Sequence, residues 1–240
     1  MSSPRKIAAL AGAFFIIAAV AALAGLALYG PVLSDPRYIV TASGGDVRVL
    51  LGACCEVILA IAVIGTAVTL FPVVRRQNEG IALGYVAGRV VEAVVIVTGI
   101  ISLLSVVTLR QDLAGAAGAN ASLVAVHNWT FLFGPGLAIG VNTLMLAYLM
   151  YRSGLVPRLI AVLGLIGGPL IFASSVAVLS GLYEQVSVWG SVAAIPVFAW
   201  EMSLAVWLIA KGFKPSAIAS LDARRQYGAG GAPALATAAG

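Results

Sequence analysis

Six long, mostly apolar stretches, roughly 7–30, 47–73, 81–108, 123–150, 159–182 and 190–210, leave this chain few ways to fold. The hydrocarbon core of a bilayer is about 30 Å thick and takes about 20 apolar residues as a helix. Inside that layer every backbone N–H and C=O must find a protein partner, which only helices and closed barrels provide. Barrel strands alternate apolar and polar residues, and these runs do not. A composition of 61% hydrophobic and 10% charged residues and a mean hydropathy of +1.06 agree, since soluble domains carry about 25% charged residues. The sequence therefore reads as an all-α membrane protein, a six-transmembrane-helix bundle. Short connectors (Ser34 to Gly45, Gln111 to Asn120, Tyr183 to Trp189) divide it into three hairpins, so function has to sit among the helices.

Basic residues give an orientation. Arg5, Lys6, Arg75, Arg76, Arg152, Arg158, Lys211, Lys214, Arg224 and Arg225 flank one set of helix ends, and only Arg37, Arg48 and Arg110 the other. The positive-inside rule then puts both termini in the cytoplasm. The formal net charge of +5 is thus a topology signal, and no nucleic-acid partner is expected without a soluble basic face. The first stretch follows Arg5 and Lys6 but exceeds the core of a signal peptide, about 7–15 residues, and is expected to stay as a helix. Cys54 and Cys55 are adjacent inside the second stretch and read as small buried side chains. Residues 1–220 form the transmembrane domain, and the Gly- and Ala-rich run 221–240 is expected to be a disordered tail. Two segments echo each other: Pro4-Arg5-Lys6-Ile7-Ala8-Ala9-Leu10 with Pro157-Arg158-Leu159-Ile160-Ala161-Val162-Leu163, and Glu56 to Ala60 with Glu201 to Ala205. This is a faint version of the parallel repeats found in transporters.

Four groups able to carry charge lie deep inside the apolar runs: Glu56, Arg89, Glu92 and Glu201. A charge at the bilayer centre costs about 2.5–3.5 kcal/mol on insertion scales, so such residues mark function by default. Arg89 and Glu92 are three apart, on one helical face, and can pair. Three carboxylates against one guanidinium leave an excess of negative charge, and desolvation disfavours a charged carboxyl. One of the three is therefore expected to keep its proton. Gly134-Pro135-Gly136 should kink or unwind the fourth helix at the same depth, with Gly167-Gly168-Pro169 and Pro196 in the next two. His127, Asn128 and Trp129 lie near the outer end of the fourth helix; Tyr85 and Trp200 complete the candidate lining. One His cannot build a zinc site, so no metal and no cofactor are expected. Gly84 and Gly88 form a GxxxG, read as close helix packing.

Asn78-Glu79-Gly80-Ile81-Ala82-Leu83-Gly84-Tyr85 with Arg89 and Glu92, then Trp200-Glu201-Met202 and Leu204-Ala205-Val206-Trp207-Leu208-Ile209-Ala210-Lys211-Gly212-Phe213, together with Asp35-Pro36 and Glu56, resemble the bacterial membrane family called domain of unknown function 4386. The resemblance covers about residues 4–220. It implies a six-helix, multi-pass protein of the bacterial inner membrane and no activity. The residues themselves point first to a midplane site for a small hydrophobic or cationic ligand, coupled to a proton, with Glu56 and Glu201 as ligands and Arg89 and Glu92 setting the field. A homo-oligomer would supply the second half that a six-helix transporter lacks. The alternatives are an intramembrane enzyme resembling isoprenoid cyclases, with a protonated Glu as general acid, and a structural or regulatory membrane protein.

Overall fold

The computed structural model describes residues 4–34, 38, 46–111 and 116–229. Among these the chain is helical, with no strand. The helices are α1 (Pro4–Ser34), α2 (Asp46–Val74), α3 (Glu79–Gln111), α4 (Ala116–Phe131), a π-helical stretch (Leu132–Ala138), α5 (Ile139–Ser153), α6 (Arg158–Leu179), α7 (Val188–Ala210) and α8 (Pro215–Ala229). With α4, the π-helical stretch and α5 running as one span, six helices are long and apolar enough to cross a membrane. Large apolar side chains on every span face outward, among them Leu23, Ile61, Val91, Val141, Ile166 and Val206. In water such a surface would drive association; here it is the face a multi-pass membrane protein offers to lipid. Residues 35–37 and 39–45 of the first connector and 112–115 of the second lie outside the described residues.

Local sequence sets the helix ends. The Asn78 side chain accepts from the Ile81 N–H at 2.9 Å, capping α3, whose first turn carries Glu79. Ser187 caps α7 by accepting from the Gly190 N–H at 3.2 Å. Gly154 ends α5 at φ 67, a left-handed conformation that glycine adopts without strain. Successive spans pack on one another, and α7 returns to α1. That closure is tied at one end by Arg5, whose guanidinium donates to the carbonyls of Leu208 (3.0 Å), Ile209 (2.6 Å) and Ala210 (3.2 Å). A cation there satisfies carbonyls left free at the end of α7 and complements its dipole.

Small residues decide where the helices touch. A methyl at Gly12 would lie 2.7 Å from the Ala205 carbonyl, one at Gly164 2.7 Å from the Trp200 ring, and one at Gly168 2.8 Å from the Gly140 carbonyl. The GxxxG pair is packed in this way too, Gly84 against Met145 and Gly88 against Asn142. Gly167 and Gly168 likewise serve close approach, and α6 and α7 run unbroken through Pro169 and Pro196. At Gly134-Pro135-Gly136 the helix neither stops nor unwinds but widens into seven π-helical residues, where the Ile139 N–H bonds the Gly134 carbonyl five residues back. Proline has no N–H to give, and a wider register lets its neighbours find partners without water.

The sequence reading placed a disordered tail from residue 221. Over 221–229 the chain is instead the second half of α8, and 230–240 lies outside the described residues. Leu221 is buried in the core formed by Phe15, Leu70, Leu146 and Leu204, and Asp222 pairs with Arg76 at 2.8 Å. The composition count missed these two anchors because Gly and Ala dominate only beyond them. Substitution of Gly164 by Ala should lower the thermal stability of the detergent-solubilised protein by about 1–3 kcal/mol through overpacking against Trp200. Gly30→Ala, with open space around it, should not lower it; equal losses in the two variants would refute the packing account.

Candidate functional site

The bundle is close-packed at the end that holds Leu70, Leu149, Leu155 and Leu208, and looser further along. At the junction sits Arg89, 3% exposed, on the inward face of α3. Its Nη1 donates to both oxygens of Glu92, one turn on, at 3.2 Å each, and its Nη2 to Glu201 Oε1 on α7 at 3.1 Å. α3 and α7 are not neighbours in the ring of helices, so the guanidinium bridges the bundle interior. Its flat faces lie over the rings of Phe15 (5.9 Å) and Tyr85 (5.5 Å), a favourable cation–π environment. Asn142 on α5 donates to Glu92 Oε2 at 2.7 Å. It reaches that position only because residue 88 is glycine: a methyl there would land on the Asn142 side-chain oxygen. Tyr85 is fully buried and its hydroxyl meets Thr66 Oγ1 at 3.2 Å. Since the Thr66 hydroxyl donates to the Val63 carbonyl, Tyr85 is the donor of that pair.

Two carboxylates thus face one guanidinium. Glu92 is 3% exposed and wholly engaged, whereas Glu201 is 16% exposed; both line a cavity of about 160 Å³ with Phe15, Thr66, Arg89 and Phe198. Leu23 and Phe198 on its rim are 60% and 50% exposed, so the cavity opens sideways between α1 and α7, onto the surface that lipid would cover. A cavity near 150 Å³ is known to hold a molecule the size of benzene.

Glu56 is not part of this cluster. It projects from α2 into a second cavity, of about 190 Å³, with Tyr29 of α1 and His127 of α4. Gly25 and Gly52 make room for them: Gly25 lies against the Glu56 side chain, Gly52 against the Tyr29 ring. The Tyr29 and His127 rings meet edge to face at 5.4 Å. His127 Nδ1 lies 3.4 Å from the Gly99 carbonyl; a carbonyl only accepts, so Nδ1 carries the hydrogen and Nε2 is left for the cavity. The Tyr29 hydroxyl faces the Glu56 carboxylate yet makes no well-formed hydrogen bond, and Glu56 Oε2 has no partner.

The remaining sequence candidates sit elsewhere. Trp200 is buried against Gly164, and Asn128 and Trp129 are exposed on the outer face of α4, Trp129 lining a shallow cleft with Val95 and Phe133. Tyr85, Trp129 and Trp200 therefore do not surround one chamber with His127. Sequence reasoning missed Asn142, an amide inside an apolar run across from a GxxxG glycine, and Tyr29, which lies near the end of its stretch, where aromatics gather for interfacial reasons.

Over residues 10–212 the chain matches the family described as Domain of unknown function (DUF4386). It belongs to that family. No curated protein and no solved structure matches it. For this DUF4386 protein the site therefore rests on the geometry above. Gly88→Ala should displace Asn142 and leave Glu92 short of a donor, costing about 1–3 kcal/mol. Adding Asn142→Ala should restore part of that loss, read as melting temperature in detergent. If the double variant were no more stable than Gly88→Ala alone, the steric link would be wrong.

Proposed function

We propose that this membrane protein binds a small amphiphilic amine, taken sideways from the bilayer, with the Glu201 carboxylate as the counter-ion for its ammonium group. The observation that carries this reading is the unequal pairing at Arg89. Glu92 spends its oxygens on Arg89 and Asn142, while Glu201 gives one oxygen to Arg89 and borders an apolar cavity open toward lipid. Two carboxylates and one guanidinium leave one negative charge: an ammonium at the cavity side of Glu201 restores neutrality, whereas a divalent metal would overshoot to a net positive charge. The Thr66 hydroxyl lies in reach as an acceptor, and Phe15 and Phe198 offer aromatic faces to a cation. A cavity this small takes the head and a few carbons, and the tail extends through the opening. Ammonium and proton are alternative occupants of one carboxylate, which makes the site proton-coupled, with Glu92 and Arg89 the other charged groups facing it.

The reading carries an orientation with it. The clustering of Arg75, Arg76, Arg152, Arg158 and Lys211 at one set of helix ends supports three hairpins with both termini in the cytoplasm, and the family resemblance implies the inner membrane of a bacterium. The cyclase-like alternative draws on Glu56, an acid in apolar walls, but Tyr85, Trp129 and Trp200 do not line that cavity to shield a carbocation.

Calorimetric titration of the protein in lipid nanodiscs with hexylamine, after subtraction of empty nanodiscs, should show saturable binding that its neutral counterpart hexanol lacks. Glu201→Gln keeps the shape and removes the charge. It should weaken binding at this cavity by about tenfold or more, or about 1.4 kcal/mol. Unchanged affinity in Glu201→Gln, or equal binding of hexanol, would end the proposal.

A further inference from the structure

The Arg89 cluster leaves the Tyr29, Glu56 and His127 cavity unused, and that cavity has the marks of a site in its own right. Tyr29, Glu56 and His127 come from three helices and converge on a space walled mainly by Leu23, Leu26, Leu59 and Phe131, with the Thr130 hydroxyl engaged by the His127 carbonyl. Tyr29 is completely buried, and its hydroxyl, like Glu56 Oε2, has no hydrogen-bond partner. A buried polar atom without a partner costs about 1–3 kcal/mol; even with the Tyr29 hydrogen turned to the Glu56 carboxylate it faces, lone pairs of both groups remain free toward the cavity for an occupant. The groups also state what the occupant must offer. Glu56 Oε2 and His127 Nε2 accept, and the Tyr29 hydroxyl can accept as well, so the head group has to be rich in donors. No ion pair compensates Glu56 among the described residues, and an ammonium supplies three donors and the missing positive charge together. The apolar walls take its hydrocarbon, and exposed Leu23 and Leu26 leave the cavity open to the lipid side.

The two cavities are contiguous. Ala22, Leu23, Leu59, Ile96 and Pro135 line both, so one thin apolar wall separates Glu56 from the Arg89 cluster. We infer that Glu56, Tyr29 and His127 form a second, separate station for the same amphiphilic amine, next to the Glu201 station on one path through the bundle. This rests on the reading of Glu201 as an ammonium counter-ion and extends it from one site to two.

The number of hexylamine equivalents bound per chain tests it, in nanodiscs with empty-disc subtraction. Two are expected for the wild type, one for Glu56→Gln, one for Glu201→Gln and none for the double variant. Tyr29→Phe removes only the unpartnered hydroxyl. It should keep both equivalents while weakening one by about three- to tenfold, the worth of a single hydrogen bond. Melting curves of each variant in the absence of amine identify any that fail to fold, and Tyr29→Phe then carries the test. Two equivalents retained in Glu56→Gln, or two unaltered affinities in Tyr29→Phe, would overturn the second station while leaving the Glu201 reading in place. Loss of all binding in either single carboxyl variant would mean one joint site and would also overturn it. Two equivalents retained in Glu201→Gln would instead overturn the reading on which it rests.

Discussion

Arg89 joins α3 and α7, helices that are not neighbours in the bundle. A guanidinium at the depth of the bilayer centre is costly alone, and buried ion pairs recover their desolvation only when the geometry is good and the remaining lone pairs and protons are satisfied. Here both terminal nitrogens reach carboxylates, Glu92 of its own helix and Glu201 of α7, and aromatic rings of Phe15 and Tyr85 cover the group, while its Nε has no hydrogen-bond partner. That arrangement needs a glycine beside it. With any side chain at residue 88 Asn142 could not reach Glu92, and the more deeply buried carboxylate would lose its neutral donor. The GxxxG of α3 thus does more than bring two helices together; it admits the amide that completes the charge cluster.

Asymmetry follows from the same contacts. α1 and α7 are locked at one end, where Arg5 caps α7 and Gly12 admits the Ala205 carbonyl. Further along, α7 turns its small and apolar residues to α6, Val197 lying against Gly167 and Trp200 against Gly164. The crevice between α1 and α7 is what remains, and Glu201 borders it. Tight packing on one side of the bundle and a lateral opening on the other are therefore one fact, set by where α7 spends its contacts. A site reached in this way samples solutes already dissolved in lipid, whose apolar parts need no desolvation to enter.

Much of the fold was legible from the chain. The six apolar runs matched six spans because membrane helices satisfy their own backbone and need no tertiary signal to be recognised. Pairing of Arg89 with Glu92 followed from a three-residue spacing. The division of the carboxylates could not be read this way. Glu56, Glu92 and Glu201 each fall near the middle of an apolar run, but a count along a run does not give the offset between helices: Glu56 lies level with Gly25 and Gly99, whereas Arg89 lies level with Phe15 and Thr66, further along the bundle axis. Aromatic residues misled because position along a run does not give facing: Trp129 faces lipid and Trp200 faces α6. The prolines were ambiguous because the same residue breaks one helix register and sits quietly in another, depending on whether the neighbouring helix accepts a close approach, as at Gly167 and Gly168.

Pro135 stands where the two cavities meet. It lines both cavities, and it lies in the middle of the π-helical stretch. A proline in an ordinary α-helix would leave a carbonyl one turn back without its donor and clash with it; in hydrocarbon no water stands by to compensate. The π register resolves this by adding width over residues 132–138. Such bulges are frequent at functional sites because they carry a helix through a local irregularity at small cost. Pro135 thus belongs to the apolar wall shared by the cavity of Glu56 and that of the Arg89 cluster, and it is the offset of Glu56 from Arg89 along the bundle axis that gives the carboxyl groups neighbouring cavities instead of one.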